Sequence, residues 1–116
     1  MIRVLTAVAA LLVWGQGAAT PICPGEAAKH VGEKVAVQGR VTTVTVLDKD
    51  HTIYINFGEP YPHQTFTAVL YDSVAARFPD PKTLLGKTVV IHGTVRLRGK
   101  RPQIILSSPE QINVVV

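Results

Sequence analysis

The chain has 116 residues, with twelve basic against eight acidic side chains, a formal charge of +4 and a single cysteine. That length bounds it to one domain, with a core that needs no staples, and the lone Cys23 excludes an internal disulfide. The mild positive charge permits an anionic partner without demanding one, and the scattered acids exclude the acidic metal cluster of a barrel nuclease.

Residues 1–19 read as a signal peptide. Arg3 supplies a positive start, and Val4 to Trp14 is apolar but too short to cross a bilayer. Gly17-Ala18-Ala19 offers the small residues a signal peptidase needs. Cleavage near Ala19 would leave Thr20 first, with residues 20–116 as one exported domain, periplasmic or extracellular. Pro21 and Ile22 before Cys23 argue against lipidation. Cys23 is expected as an unpaired thiol partly buried by the first helix, with pairing between chains as the alternative.

Pro24 to His30 predicts a short helical turn stopped at Gly32. Strand one starts at Lys34. Val35, Val37 and Val41 share one face, then Val44 and Val46 switch parity, which predicts a β-bulge near Thr42-Thr43. After the polar turn Asp48-Lys49-Asp50, strand two covers Thr52 to Phe57. Ile53, Ile55 and Phe57 point inward there, and Tyr54 and Asn56 outward. Pro60-Tyr61-Pro62 makes a stiff loop. Strand three runs from Thr65 to Tyr71, with Phe66, Ala68 and Leu70 inward and Thr67, Val69 and Tyr71 outward.

Asp72 or Ser73 is placed to cap a short helix through Phe78, which Pro79 and Pro81 end. Gly86 opens strand four, with Val89, Ile91, Val95 and Leu97 on one face. Leu97 to Arg101 forms a basic turn around Gly99, and strand five covers Gln103 to Leu106. Ser108-Pro109-Glu110-Gln111 is a capped turn, and Ile112 to Val116 can add a last short strand.

One pattern occurs twice: Gly32 to Val41, and Gly86 to Val95. Each copy has a turn glycine, an alternating strand and a glycine inside that strand. A mid-strand glycine fits a sharp bend at a barrel corner, so Gly39 and Gly93 are expected at bends of two strands that pair. The element order predicts an all-β fold: a five-stranded Greek-key OB-fold barrel with a short helix between strands three and four. An SH3-like barrel is the alternative, but it would not place a helix at Ser73 to Phe78.

Several segments together carry a family resemblance. They are Glu26 to Gly32, Gly39-Arg40-Val41, Ile55-Asn56-Phe57-Gly58, Pro60 to Thr67, Gly86-Lys87 with Gly93-Thr94-Val95, and Arg101-Pro102-Gln103-Ile104. In these the chain resembles the small exported bacterial OB-fold proteins described as nucleic-acid-binding-like, related to anticodon-binding and helicase-type OB domains. The resemblance spans nearly all of residues 20–116 and implies a ligand-binding barrel. Several relatives carry a second cysteine, which Cys23 lacks here.

OB-folds bind ligands on the face of strands two and three, between two flanking loops. Here that face offers Tyr54, Asn56, Thr67 and Tyr71. The loops add Lys49 and His51 on one side, and Arg98, Lys100 and Arg101 on the other. Tyrosine rings can stack bases while arginines meet phosphates. Tyr54 can equally be a half-buried barrel tyrosine, and the basic turn, with Arg96, a solvated hairpin. His30, His51, His63 and His92 have no partners at metal-ligand spacing, and Ser107-Ser108 has no nearby base. No catalytic residue, metal or cofactor is expected. The expected function is a non-enzymatic binding module for single-stranded nucleic acid or another polyanion. The alternative is a protein or envelope partner on the same face.

Overall fold

The computed structural model describes residues 20–59 and 63–115. The expected signal segment and the Pro60-Tyr61-Pro62 loop lie outside the described residues. Among the described residues seven strands follow in chain order: β1 (Lys34–Val46), β2 (Ile53–Phe57), β3 (Phe66–Leu70), β4 (Thr88–Thr94), β5 (Arg96–Arg98), β6 (Arg101–Leu106) and β7 (Ile112–Val114). They form one mixed sheet in the order β5-β6-β3-β2-β1-β4-β7.

The parity switch in β1 is a bulge. Val41 faces Phe57 and Thr43 faces Asn56, so Thr42 is the extra residue. The bend gives β1 two partners. Its first half, Lys34 to Arg40, pairs antiparallel with β4, and its second half pairs with β2. This is the pairing of the two repeated strands that the glycine pattern predicts. On the free edge of the first half, Ile22 N–H donates to Ala36 O at 2.8 Å and Gln38 N–H to Ile22 O at 2.9 Å. β3 pairs antiparallel with β2 and parallel with β6.

Ile55, Phe57, Phe66, Ala68, Leu70, Ile104 and Leu106 meet Val37, Val41, Val89, Ile91 and Val95 in the core. The Phe57 and Phe66 rings sit 5.5 Å apart, tilted by 53°. Burying such side chains supplies the main drive to fold, roughly 1.5–3 kcal/mol for each large one.

Five strands and a closed ladder are not what is found. The sheet has seven strands and ends at β5 and β7. One added strand is β7, the last short strand expected within Ile112 to Val116, which pairs with β4; the other arises in the predicted fourth strand. It divides around Val95, so Thr88–Thr94 pairs with β1 while Arg96–Arg98 pairs with β6. Leu97 therefore leaves the buried row of Val89, Ile91 and Val95 and is 48 % exposed.

β4 and β6, each one strand in from an end of the sheet, still meet. A Cβ at Gly93 would stand 2.6 Å from Ile104 Cγ2, so β4 passes against β6 at a distance only glycine allows. Gly39 is equally tight, since a Cβ there would lie 2.6 Å from Pro24 Cγ and 3.2 Å from Phe57 Cδ2. Gln111 stitches the seam. Its Nε2 donates to His92 O on β4 at 2.9 Å and reaches Ile105 O on β6 at 3.4 Å. Its Oε1 accepts from Ser107 N–H at 2.7 Å and Ser108 N–H at 3.0 Å.

The helical segments differ in detail from expectation. Pro24–His30 is a 3₁₀ helix that buries Ala27. Cys23 precedes it and is exposed rather than partly buried: the residue this helix turns into the core is Ala27, while the Cys23 N–H donates to Glu26 Oε1 at 3.2 Å. The helix α1 covers only Asp72–Ala75, and its capping position is Tyr71, without a side-chain cap from Asp72 or Ser73. A second 3₁₀ turn at Pro81–Leu84 follows. Asp80 caps it, its Oδ1 accepting from Lys82 N–H at 3.0 Å. Among the described residues no helix is long and apolar enough to cross a membrane.

Candidate functional site

The outward face of β2 and β3 is built by alternation. With Ile55, Phe57, Phe66 and Ala68 in the core, Tyr54, Asn56, Thr67 and Val69 fall on the opposite face. The registers then align one polar row across five strands. Arg96 faces Gln103, Gln103 faces Thr67, Thr67 faces Asn56, and Asn56 faces Thr43.

Two of the expected binding residues are not open to solvent. Asn56 is 0 % exposed and Thr67 only 4 %. Asn56 instead holds the row together. Its Nδ2 donates to Thr43 Oγ1 at 3.0 Å and Thr45 Oγ1 at 3.1 Å, and its Oδ1 accepts from Thr67 Oγ1 at 3.1 Å. Buried polar groups need such partners, so the amide serves as a fixed floor.

Above this floor lies a cleft of about 260 Å³ lined by Leu47, Tyr54, Gln64, Thr67, Arg98, Arg101, Pro102 and Gln103. Four residues expected from the sequence, Tyr54, Thr67, Arg98 and Arg101, thus line one cavity. The half-buried Tyr54 forms part of one wall. The two arginines come from the β5–β6 hairpin, whose two-residue turn is Gly99-Lys100 with Gly99 at φ 62°. Glycine in the first central position suits such a turn.

Arg98 and Arg101 are direct cross-strand partners. Like charges placed opposite one another destabilise a sheet. Among the described residues neither arginine is in an ion pair, the one pair being His30 Nδ1 with Glu33 Oε1 at 3.1 Å. Two exposed guanidinium groups therefore stand together at the lip of a polar cleft.

The remaining expected residues do not join it. Lys49, His51 and Lys100 are exposed on the flanking turns, and Tyr71 is 40 % exposed at the end of β3. His51 has φ 59°, held by its N–H bond to Leu47 O at 2.9 Å, so Leu47 rather than His51 reaches the cleft. In the same turn Asp50 Oδ1 accepts from Thr52 N–H at 3.1 Å, which holds its carboxyl below the usual range.

Gln64 and Gln103 were not anticipated. Alternation with Ile104 could have flagged Gln103 as outward, but its alignment with Thr67 rests on a parallel pairing the sequence does not announce. A second groove, of about 170 Å³, lies between Ile55, Leu70, Phe78, Leu84 and Ile112. It is apolar.

No protein-family model matches the sequence, and no curated protein does. Solved structures do share its fold. A protein described as an aspartyl-tRNA synthetase from Leishmania major Friedlin superposes with a TM-score of 0.55 at 14% identity, over 93% of this chain and 23% of its own. The asparaginyl-tRNA synthetase of Pyrococcus horikoshii gives 0.52 at 17% identity, over 81% of this chain and 22% of its own. The chain thus spans about a quarter of either synthetase. OBody AM2EP06, solved bound to hen egg-white lysozyme, gives 0.54 at 17% identity, over 90% of this chain and 97% of its own. The chain is therefore OB-fold-like.

Proposed function

We propose that this chain is an exported, non-enzymatic OB-fold binding module whose outward β2–β3–β6 face takes single-stranded nucleic acid. In this reading β4 and β5 act as the single bent fourth strand of a Greek-key barrel. The observation that carries the reading is the pair of facing arginines, Arg98 and Arg101, at the lip of a cleft walled by Tyr54. Phosphates would neutralise the arginines, while a base enters between Tyr54 and Pro102. The likeness in fold to two tRNA synthetases supports a nucleic-acid partner.

A protein or envelope partner is the second reading, favoured by the OBody bound to lysozyme. The test is fluorescence anisotropy with a labelled single-stranded oligonucleotide across a salt series. Two phosphate contacts should contribute a slope of about −1.4 in log K against log salt, at roughly −0.7 per contact. Absence of binding at low salt by folded protein would sink the nucleic-acid reading and favour the protein partner.

A further inference from the structure

The cleft floor has a hydrogen-bonding polarity of its own. Thr67 has one hydroxyl hydrogen, and it is committed to Asn56 Oδ1 at 3.1 Å. Asn56 in turn has both amide hydrogens engaged, on Thr43 and Thr45. What Thr67 Oγ1 presents to the cleft is therefore lone pairs alone. Gln64, which lines the same cleft, is 8 % exposed, and its Oε1 is buried without a hydrogen-bond partner. A buried acceptor left unpaired is costly, and buried polar groups are seldom left so. Gln64 and Thr67 thus both line the cleft and each carries an acceptor with capacity to spare, and the groups that can satisfy both are donors.

We infer that the cleft selects nucleobases bearing an exocyclic amino group, cytosine over uracil. This rests on the nucleic-acid reading above. An amino group carries two hydrogens and can give one each to Gln64 Oε1 and Thr67 Oγ1. Uracil presents one ring N–H flanked by two carbonyl oxygens. Placed in the same cleft, it satisfies at most one acceptor and sets a carbonyl against the other. Arg98 and Arg101 add affinity for either strand through its phosphates, so they do not discriminate between bases.

The test compares oligo(dC) and oligo(dU) of equal length by fluorescence anisotropy at fixed low salt, first with the unaltered protein. Oligo(dC) is expected to bind at least about fivefold more tightly, the low end of what an unsatisfied buried acceptor costs. Gln64→Met keeps the side-chain length and removes the acceptor. In that variant the ratio should fall to within about twofold of one. Equal salt-sensitive binding of both oligomers overturns this inference and leaves the nucleic-acid reading standing. A preference for oligo(dU), or a preference for oligo(dC) that survives Gln64→Met, overturns it as well. Binding of neither oligomer by folded protein overturns both readings together. Should the variant fold poorly, equal binding of the two oligomers or a preference for oligo(dU) by the unaltered protein still overturns the inference.

Discussion

Replacing Gln111 by alanine is expected to lower the stability of the domain by about 2–4 kcal/mol, as read from urea unfolding. Each net hydrogen bond contributes roughly 0.5–1.5 kcal/mol, and an unsatisfied buried group costs more. Gln111 makes several at once. It donates to carbonyls of His92 and Ile105 on two strands that no hydrogen-bonded register joins, and it accepts from the N–H groups of Ser107 and Ser108. Alanine removes both functions. Gln111→Glu keeps the acceptor for the serines and loses both donations, setting a carboxylate against two carbonyls. It should therefore regain little of the loss. A change below about 0.5 kcal/mol for Gln111→Ala would mean the seam is held by packing at Gly93 and Ile104 alone, since surface substitutions remain in that range.

Asn56→Ala is expected to cost about 2–3 kcal/mol, by the same unfolding measurement. The amide is fully buried and joins three strands through Thr43, Thr45 and Thr67. Its loss leaves the hydroxyl of Thr67, a buried residue, without its acceptor. The same change frees the Thr67 hydrogen to point into the cleft, so it should also weaken any discrimination between bases. A loss under about 1 kcal/mol would show that the floor tolerates an unpaired hydroxyl, and the cleft polarity would then not be fixed.

These two residues mark where the sequence was legible and where it was not. Strand parity is a local property. It gave Tyr54, Asn56 and Thr67 their outward direction and located the bulge at Thr42 in β1. The repeated glycines marked strands that do pair, and each is glycine because a side chain from another element crowds it, Pro24 and Phe57 at Gly39 and Ile104 at Gly93. Burial of the outward face is not local. It depends on the parallel alignment of β6 with β3, and on the hairpin that carries Arg98 and Arg101 over the floor.

Asn56 and Thr67 therefore read as exposed contacts while they are in fact the floor. Gln111 reads as a turn residue, yet its side chain reaches His92 on another strand. Gln64 gave no sequence signal, because an isolated polar residue before a strand has no periodicity to place it.

The cleft as the nucleic-acid site is tested most directly by mapping amide chemical shifts of nitrogen-15-labelled protein during titration with oligo(dC) at low salt. The account predicts shifts centred on Tyr54, Gln64, Thr67, Arg98 and Gln103, fading as salt is raised. Shifts centred on the apolar groove around Phe78, Leu84 and Ile112, or none at all, would contradict it.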